Sequence, residues 1–294
     1  MGKLDGKKAL ITGGQRGLGF EIAKEYVRQG ADIFICARSG DALQTAAGEL
    51  SALKVRADQI ISYKKADVSN ASDMDVLFDS VMQEFDGNLD VLVNNAGIQG
   101  PIGALEENDW DELIKVININ LVGALYCMRK AVVIFKEEAK KNGSGSKSII
   151  NISGGGATGP RPYFMGYAVA KTGIVRATET LAKEVKPYNI RVNAIAPGAM
   201  NTRMMDEILS AGDRAGEEYE KILQKKNNAS DSLDKPAKLA AYLASDDSAF
   251  VTGKLISAVW DGWQDFEKHE GDIAESDIFT LRRIVPKDRG FDWE

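Results

Sequence analysis

Two hydrophobic patterns alternate along this chain. Short unbroken apolar runs read as strands buried on both faces, and longer stretches with apolar positions every three or four residues read as amphipathic helices. The runs lie at Lys8–Thr12, Ala31–Ala37, Ile60–Lys64, Leu89–Val93, Ser148–Ser153, Ile190–Ile195 and Val251–Val259. The helical patterns lie at Phe20–Val27, Asp41–Ala52, Ala71–Phe85, Trp110–Lys141, Gly166–Lys186 and Pro236–Ser245. Strand and helix in strict alternation predict an α/β fold with a parallel sheet.

The first strand runs into Thr12-Gly13-Gly14-Gln15-Arg16-Gly17-Leu18-Gly19, and a helix follows. Strand, glycine-rich turn and helix is the context in which a backbone approaches a pyrophosphate at a helix N-terminus. Without a ligand it is only a tight β–α turn. The second strand ends at Ala37-Arg38, where a βαβ nucleotide fold meets the adenine ribose. An acidic residue there would take the 2′-hydroxyl of NAD. A guanidinium suits a 2′-phosphate instead, with Arg16 as a second cation, so NADP(H) is favoured over NAD(H). Asp67 and Val68, after the third strand, are placed to meet the adenine.

Tyr167 and Lys171 stand four residues apart, on one face of the helix that starts at Gly166. A fixed ammonium beside a phenol favours the phenolate, and such a pair can exchange a proton with a substrate oxygen. Taken alone, the pair is a weak signal and reads more readily as a surface Tyr and Lys on an amphipathic helix.

The glycine turn, Asn94-Asn95-Ala96-Gly97 after the fourth strand, Tyr167-x-x-x-Lys171 and Pro197-Gly198 with Thr202 occur in one order. Together they resemble the classical short-chain dehydrogenase/reductase family over about residues 5 to 262. The resemblance implies a Rossmann-type, doubly wound parallel sheet of about seven strands with helices on both faces. It also implies a nicotinamide cofactor and a homo-oligomer, tetramer or dimer. Gly13, Gln15, Arg16, Gly17, Leu18 and Gly19 would form the pyrophosphate turn. Asn94, Ala96 and Gly97 would line the cofactor and brace the central strand. Tyr167 would be the general acid, and Lys171 would lower its pKa and bind the nicotinamide ribose. Pro197 and Gly198 would turn toward the nicotinamide, and Thr202 would hold its carboxamide. Asn120 would kink its helix and anchor a water beside Lys171, with Asn118 as the runner-up.

The chain departs from the family after the fifth strand. Gly154, thirteen residues before Tyr167, stands where the family places a hydroxyl that holds the substrate oxygen. Ser153 is the provisional orienting residue, Thr158 an alternative, and a hydroxyl on the substrate a third. Because of Gly154, a dinucleotide-binding sensor or scaffold with little catalysis is the alternative to an enzyme. Arg161, in the following loop, reads as a solvent-exposed charge or as a site for a substrate anion. Residues 200–236 read as a substrate lid, with Arg203 and its methionines as contacts. Residues 1–262 then form the catalytic domain. The extension 263–294 is too apolar for a free tail and is expected to pack on the site or a subunit interface.

The 294 residues, 44% hydrophobic and 27% charged, suit one large α/β domain. A net charge of −6 argues against a nucleic-acid partner. No continuous apolar run approaches the ~20 residues of a membrane span. The N-terminus lacks a signal-peptide core, and two cysteines in apolar surroundings suit a reducing compartment, so the cytoplasm is expected. A single histidine argues against a metal site. The reading is an NADP(H)-dependent oxidoreductase interconverting a carbonyl and a secondary alcohol on a small polar molecule, a sugar or polyol before a steroid.

Overall fold

In the computed structural model, which describes residues 2–143, 145–198, 203–226 and 232–293, each apolar run becomes a parallel strand. The strands are β1 (Lys8–Thr12), β2 (Asp32–Ala37), β3 (Ile61–Lys65), β4 (Val91–Asn94), β5 (Lys147–Ile152), β6 (Ile190–Ala196) and β7 (Leu255–Ser257). The helices are α1 (Gly17–Arg28), α2 (Gly40–Ser51), α3 (Ala71–Glu84), α4 (Trp110–Ile117), α5 (Gly123–Asn142), α6 (Met165–Val185), α7 (Arg203–Ala211), α8 (Glu217–Lys226), α9 (Asp234–Ala244) and α10 (Glu270–Glu275). The seven strands form one sheet in the order β3-β2-β1-β4-β5-β6-β7. Winding reverses between β1 and β4, so a crevice opens at the carboxyl ends of those strands.

Burial explains the strand sequences. Every residue of β2 and β5 is buried, which is why both are nearly continuous apolar runs. Edge strand β3 is half exposed and carries Ser62 with Lys64 and Lys65, two charges that discourage pairing with another chain. On one face of the sheet, Ile22 and Tyr26 of α1, Leu43 of α2 and Leu239 of α9 join one core. Tyr26 Oη donates to the Ala240 carbonyl at 3.0 Å, tying α1 to α9. On the other face, Phe78 of α3, Cys127 and Phe135 of α5 and Ile174 of α6 form the second core. Both faces are therefore covered, as a doubly wound sheet requires.

Three elements differ from the sequence expectation. The run at 251–259 yields only three strand residues, because Gly253 turns at φ 75° on one side and Asp261 accepts from Ser257 N at 2.6 Å on the other. The helix expected over 110–141 is interrupted by a π turn at Asn118–Val122, where the Asn120 side chain bonds another loop. Trp110–Lys141 contains an 18-residue window with a mean hydropathy of 1.4, long and apolar enough for a membrane span by composition alone. In this fold Leu113, Val116, Cys127, Met128 and Phe135 of that stretch are buried in the protein. The C-terminal extension follows a path of its own. Phe266 and Ile273 enter the core beside α9, and Leu281 N donates to Glu179 of α6 at 2.6 Å. Lys254 Nζ, just before β7, donates to the Ser276 and Ile278 carbonyls at 2.8 and 3.0 Å.

Candidate active site

The glycine turn is clamped against the end of β4. Thr12 Oγ1 accepts from Asn95 N and Ala96 N at 3.0 and 3.1 Å. Asn95 Nδ2 donates to the Thr12 and Gly13 carbonyls at 2.9 and 3.1 Å. The fit leaves no space for side chains. A Cβ on Gly13, which sits at φ 66°, would lie 3.0 Å from Ala96 Cα, and one on Gly19 would lie 2.3 Å from Asn95 Nδ2. By contrast, Gly17 at φ 57° faces open space. No side chain caps α1, whereas Ser39, Asn70 and Asp109 cap α2, α3 and α4. The first amides of α1 are therefore available to an anion.

In front of this turn lies a cleft of about 470 Å³. Gly13, Gln15, Arg16, Gly17 and Leu18 line one wall, Arg38, Asp67 and Val68 a second, and Ala96, Gly97, Ser153, Tyr167, Lys171, Pro197, Arg203 and Met204 are among the residues that complete it. Gln15 Oε1 is buried without a hydrogen-bond partner. Arg16 and Arg38 are exposed, and neither pairs with a carboxylate among the described residues. An open glycine cradle, uncapped amides and two cations unpaired among the described residues fit the phosphates of an anionic dinucleotide, and the Gln15 oxygen fits a hydroxyl donor such as a ribose.

At the inner end of the cleft, α6 presents Tyr167 and Lys171, 7% and 4% exposed. Lys171 Nζ donates to the Ile152 carbonyl at 2.7 Å and lies 5.5 Å from the Tyr167 ring centre. Burial lowers the Lys171 pKa to about 8. Burial also dominates at Tyr167 and raises its pKa, opposed by the Arg161 guanidinium and reinforced by the Glu218 carboxylate. The cation that lowers the phenol's pKa here is thus Arg161, where the sequence pointed to Lys171. Asn120 lies in the π turn. Its Oδ1 accepts from Ile98 N and its Nδ2 donates to the Ile98 carbonyl, both at 2.8 Å. A Cβ on Gly97 would lie 3.2 Å from Asn120 Oδ1 and 3.8 Å from Lys171 Nζ, so these groups adjoin. Asn118 is exposed on the far side of the turn.

Beyond Tyr167 the cleft passes into a second cavity of about 980 Å³. Tyr167, Pro197 and Met204 line both spaces. Gly154, Gly198, Gln99, Met205, Ile222 and Trp260 belong to the second only. Gly154 lies directly under the phenol, where an added Cβ would be 2.5 Å from Tyr167 Oη. Arg161 is neither solvated nor free for an anion. It is paired through two nitrogens with Glu218 of α8, with Nε to Oε2 at 2.7 Å, and its guanidinium lies 3.9 Å from the Phe164 ring centre.

Several expected contacts fall elsewhere. Asn94 turns from the cleft and donates to Asn151 Oδ1 at 2.8 Å, so it braces β4 against β5. Gly19 packs beneath Asn95 as a spacer, and Gly198 lines the second cavity. Ser153 lines the cleft, but its hydroxyl is turned to the Lys171 carbonyl at 3.5 Å. Thr202 lies outside the described residues. Nothing after Trp260 lines either space among the described residues. The sequence reading missed Asn95, whose clamp on the turn was signalled only by the Asn-Asn pair. It also missed Gln99, which no motif marks.

Residues 7–212 match the family described as short chain dehydrogenase. The chain belongs to the classical short-chain dehydrogenase/reductase family. A 3-oxoacyl-(acyl-carrier-protein) reductase of Chlamydia trachomatis is 36% identical over 258 residues, covering 87% of this chain and 97% of that protein. An actinorhodin polyketide ketoreductase solved with NADPH superimposes with a TM-score of 0.76 at 26% identity, covering 87% of this chain and 97% of that one. An NAD⁺-bound xylitol dehydrogenase gives 0.75 at 27% identity, over 87% and 98% of the two chains. This short-chain dehydrogenase is accordingly an NAD(P)-dependent oxidoreductase acting on CH–OH groups.

Proposed function

We propose that this enzyme interconverts a carbonyl and a secondary alcohol on a small polar substrate, sugar- or polyol-like, with NADP(H) preferred to NAD(H). The observation that carries the reading is the place of Tyr167, among the described residues the one ionisable side chain that lines both the dinucleotide-sized cleft and the second cavity. A bound nicotinamide supplies hydride to the carbonyl carbon or removes it from the alcohol. Tyr167 donates the proton to the carbonyl oxygen in reduction and takes it back in oxidation. Lys171, whose pKa near 8 keeps it close to its titration point, relays charge beside the phenol and holds ribose hydroxyls. Asn120 positions the loop at Ile98 and keeps capacity for a further bond to water. Ser153 orients the site through the Lys171 carbonyl.

The NADP(H) preference is supported by Arg16 of the glycine turn and Arg38 after β2, which line the cleft and pair with no carboxylate among the described residues, and by β2 ending in Ala37 where an acidic residue would suit NAD. Titration of NADPH and NADH into wild type and Arg38→Asp tests it. Wild type is expected to bind NADPH the more tightly, and the variant to lose at least roughly tenfold for NADPH with little change for NADH, as removal of a charge-assisted bond predicts. Equal loss of both refutes it. A homo-oligomer is supported by exposed Val122, Leu125, Val133 and Val169 on neighbouring helices. Free, buried Cys36 and Cys127 suit a cytoplasmic setting.

A further inference from the structure

Gln99 is 2% exposed, and its Nε2 has no hydrogen-bond partner. Buried amides in folded proteins are almost always satisfied, and one left open costs stability unless something else completes it. The backbone on both sides of it is held in place. The preceding residue, Ile98, is clamped through both backbone groups by Asn120. The following one, Gly100, takes φ 78° so close to Val116 that a Cβ would lie 2.0 Å from its Cγ2. Gln99 lines the cavity that Gly154 and Tyr167 also line. The amide is thus a polar group in the wall of the substrate space, which it shares with Gly154, where the family's usual hydroxyl is missing.

Tyr167 Oη occupies the space above Gly154 and serves the reacting oxygen. Gln99 comes from a different loop, the one after β4, so it reaches a different atom of the same substrate. A carboxamide both donates and accepts, which matches a hydroxyl better than a carbonyl. Rotation by a half-turn about its last torsion presents either end. Resting on the oxidoreductase reading above, we propose that Gln99 recognises a hydroxyl on the carbon next to the reacting one. The preferred substrates are then α-hydroxyketones and, in the oxidative direction, vicinal diols. The neighbouring hydroxyl is bonded and left chemically unchanged, while the carbonyl alone gains hydride and proton.

The test compares 2-hydroxycyclohexanone with cyclohexanone as substrates of wild type and Gln99→Leu. Wild type is expected to favour the hydroxyketone in kcat/KM by roughly tenfold or more, since a site built to bond a hydroxyl rejects the analogue lacking it. In Gln99→Leu the preference is expected to vanish through a rise in KM for the hydroxyketone. A preference that survives the substitution, or an equal fall for both ketones, overturns the assignment. A wild type that reduces both ketones equally, or that reduces neither with NADPH or NADH, also overturns it and leaves the family's oxidoreductase chemistry standing. Melting without ligand gives a readout independent of turnover. Gln99→Leu removes an unpartnered buried amide and is expected to melt no lower than wild type. A fall of several degrees marks the amide as partnered within the fold and overturns the proposal.

Discussion

Lys171→Met should make the ligand-free protein more stable and leave it inactive. The lysine is 4% exposed, and among the described residues its one bond is to the Ile152 carbonyl at 2.7 Å. Burial lowers its pKa from 10.5 to about 8. At roughly 1.4 kcal/mol per unit, keeping the proton on at neutral pH costs the native state up to about 3 kcal/mol. Methionine fills a similar volume with no charge to desolvate, but the Ile152 carbonyl loses its donor, worth about 1 kcal/mol. The net gain is about 1–2 kcal/mol, or a Tm higher by roughly 2–6 °C for a chain of this size. The pH dependence follows from the direction of the shift. Because the folded pKa lies below the unfolded one, the unfolded chain binds more protons between about 8 and 10.5, and wild-type stability rises across that window. The advantage of Lys171→Met should therefore be full below pH 8 and fade by pH 10.5. Burial also raises the titrations of Tyr26 and Cys36, but both proteins share them, so the difference isolates Lys171. Melting curves of both proteins from pH 6.5 to 10.5, with turnover at each pH, provide the assay. A variant that melts below wild type at pH 7, or whose advantage does not change with pH, refutes the reasoning.

Gly154→Ala should lower both Tm and turnover, because its Cβ would lie 2.5 Å from Tyr167 Oη and the phenol must move from its buried seat. Overpacking of this kind costs about 1–3 kcal/mol, and wild-type melting with wild-type kcat would show that the tyrosine yields freely. Glu218→Gln removes the carboxylate that raises the Tyr167 pKa and leaves the Arg161 guanidinium that lowers it. The basic limb of the reduction profile, where the acid must still carry its proton, should shift to lower pH. An unchanged limb would detach Glu218 from the acid.

How much was legible in the sequence depended on what each residue answers to. Strands β1, β2 and β5 were legible because both faces are covered, so sequence alone records their burial. The glycine turn was legible because Gly13 and Gly19 sit where any Cβ collides with Asn95 or Ala96. Residues whose partners are distant in sequence were not legible. Arg161 read as a loop charge because Glu218 lies 57 residues away, on a helix whose position no local pattern fixes. Asn94 belongs to a recognisable motif, yet its amide serves Asn151 across the sheet. The interruption at Asn120 was expected only from the resemblance, because the residue trades helical regularity for two bonds to the loop at Ile98, which no local pattern records. Gln99 carries no pattern at all, and only an unpartnered nitrogen in a closed wall singles it out.

The same long-range pairing links the two halves of the site. Helix α8 supplies Glu218, and Glu218 orients Arg161 against the rings of Phe164 and Tyr167. The phenol's affinity for its proton is therefore set by burial and by two neighbours acting in opposite directions. Burial and Glu218 raise it, and Arg161 lowers it. The guanidinium and carboxylate oppose one another while they are paired, which leaves burial in control and the phenol protonated. A side chain that lines the cavity wall thus also acts on the acid, from a helix more than fifty residues away along the chain.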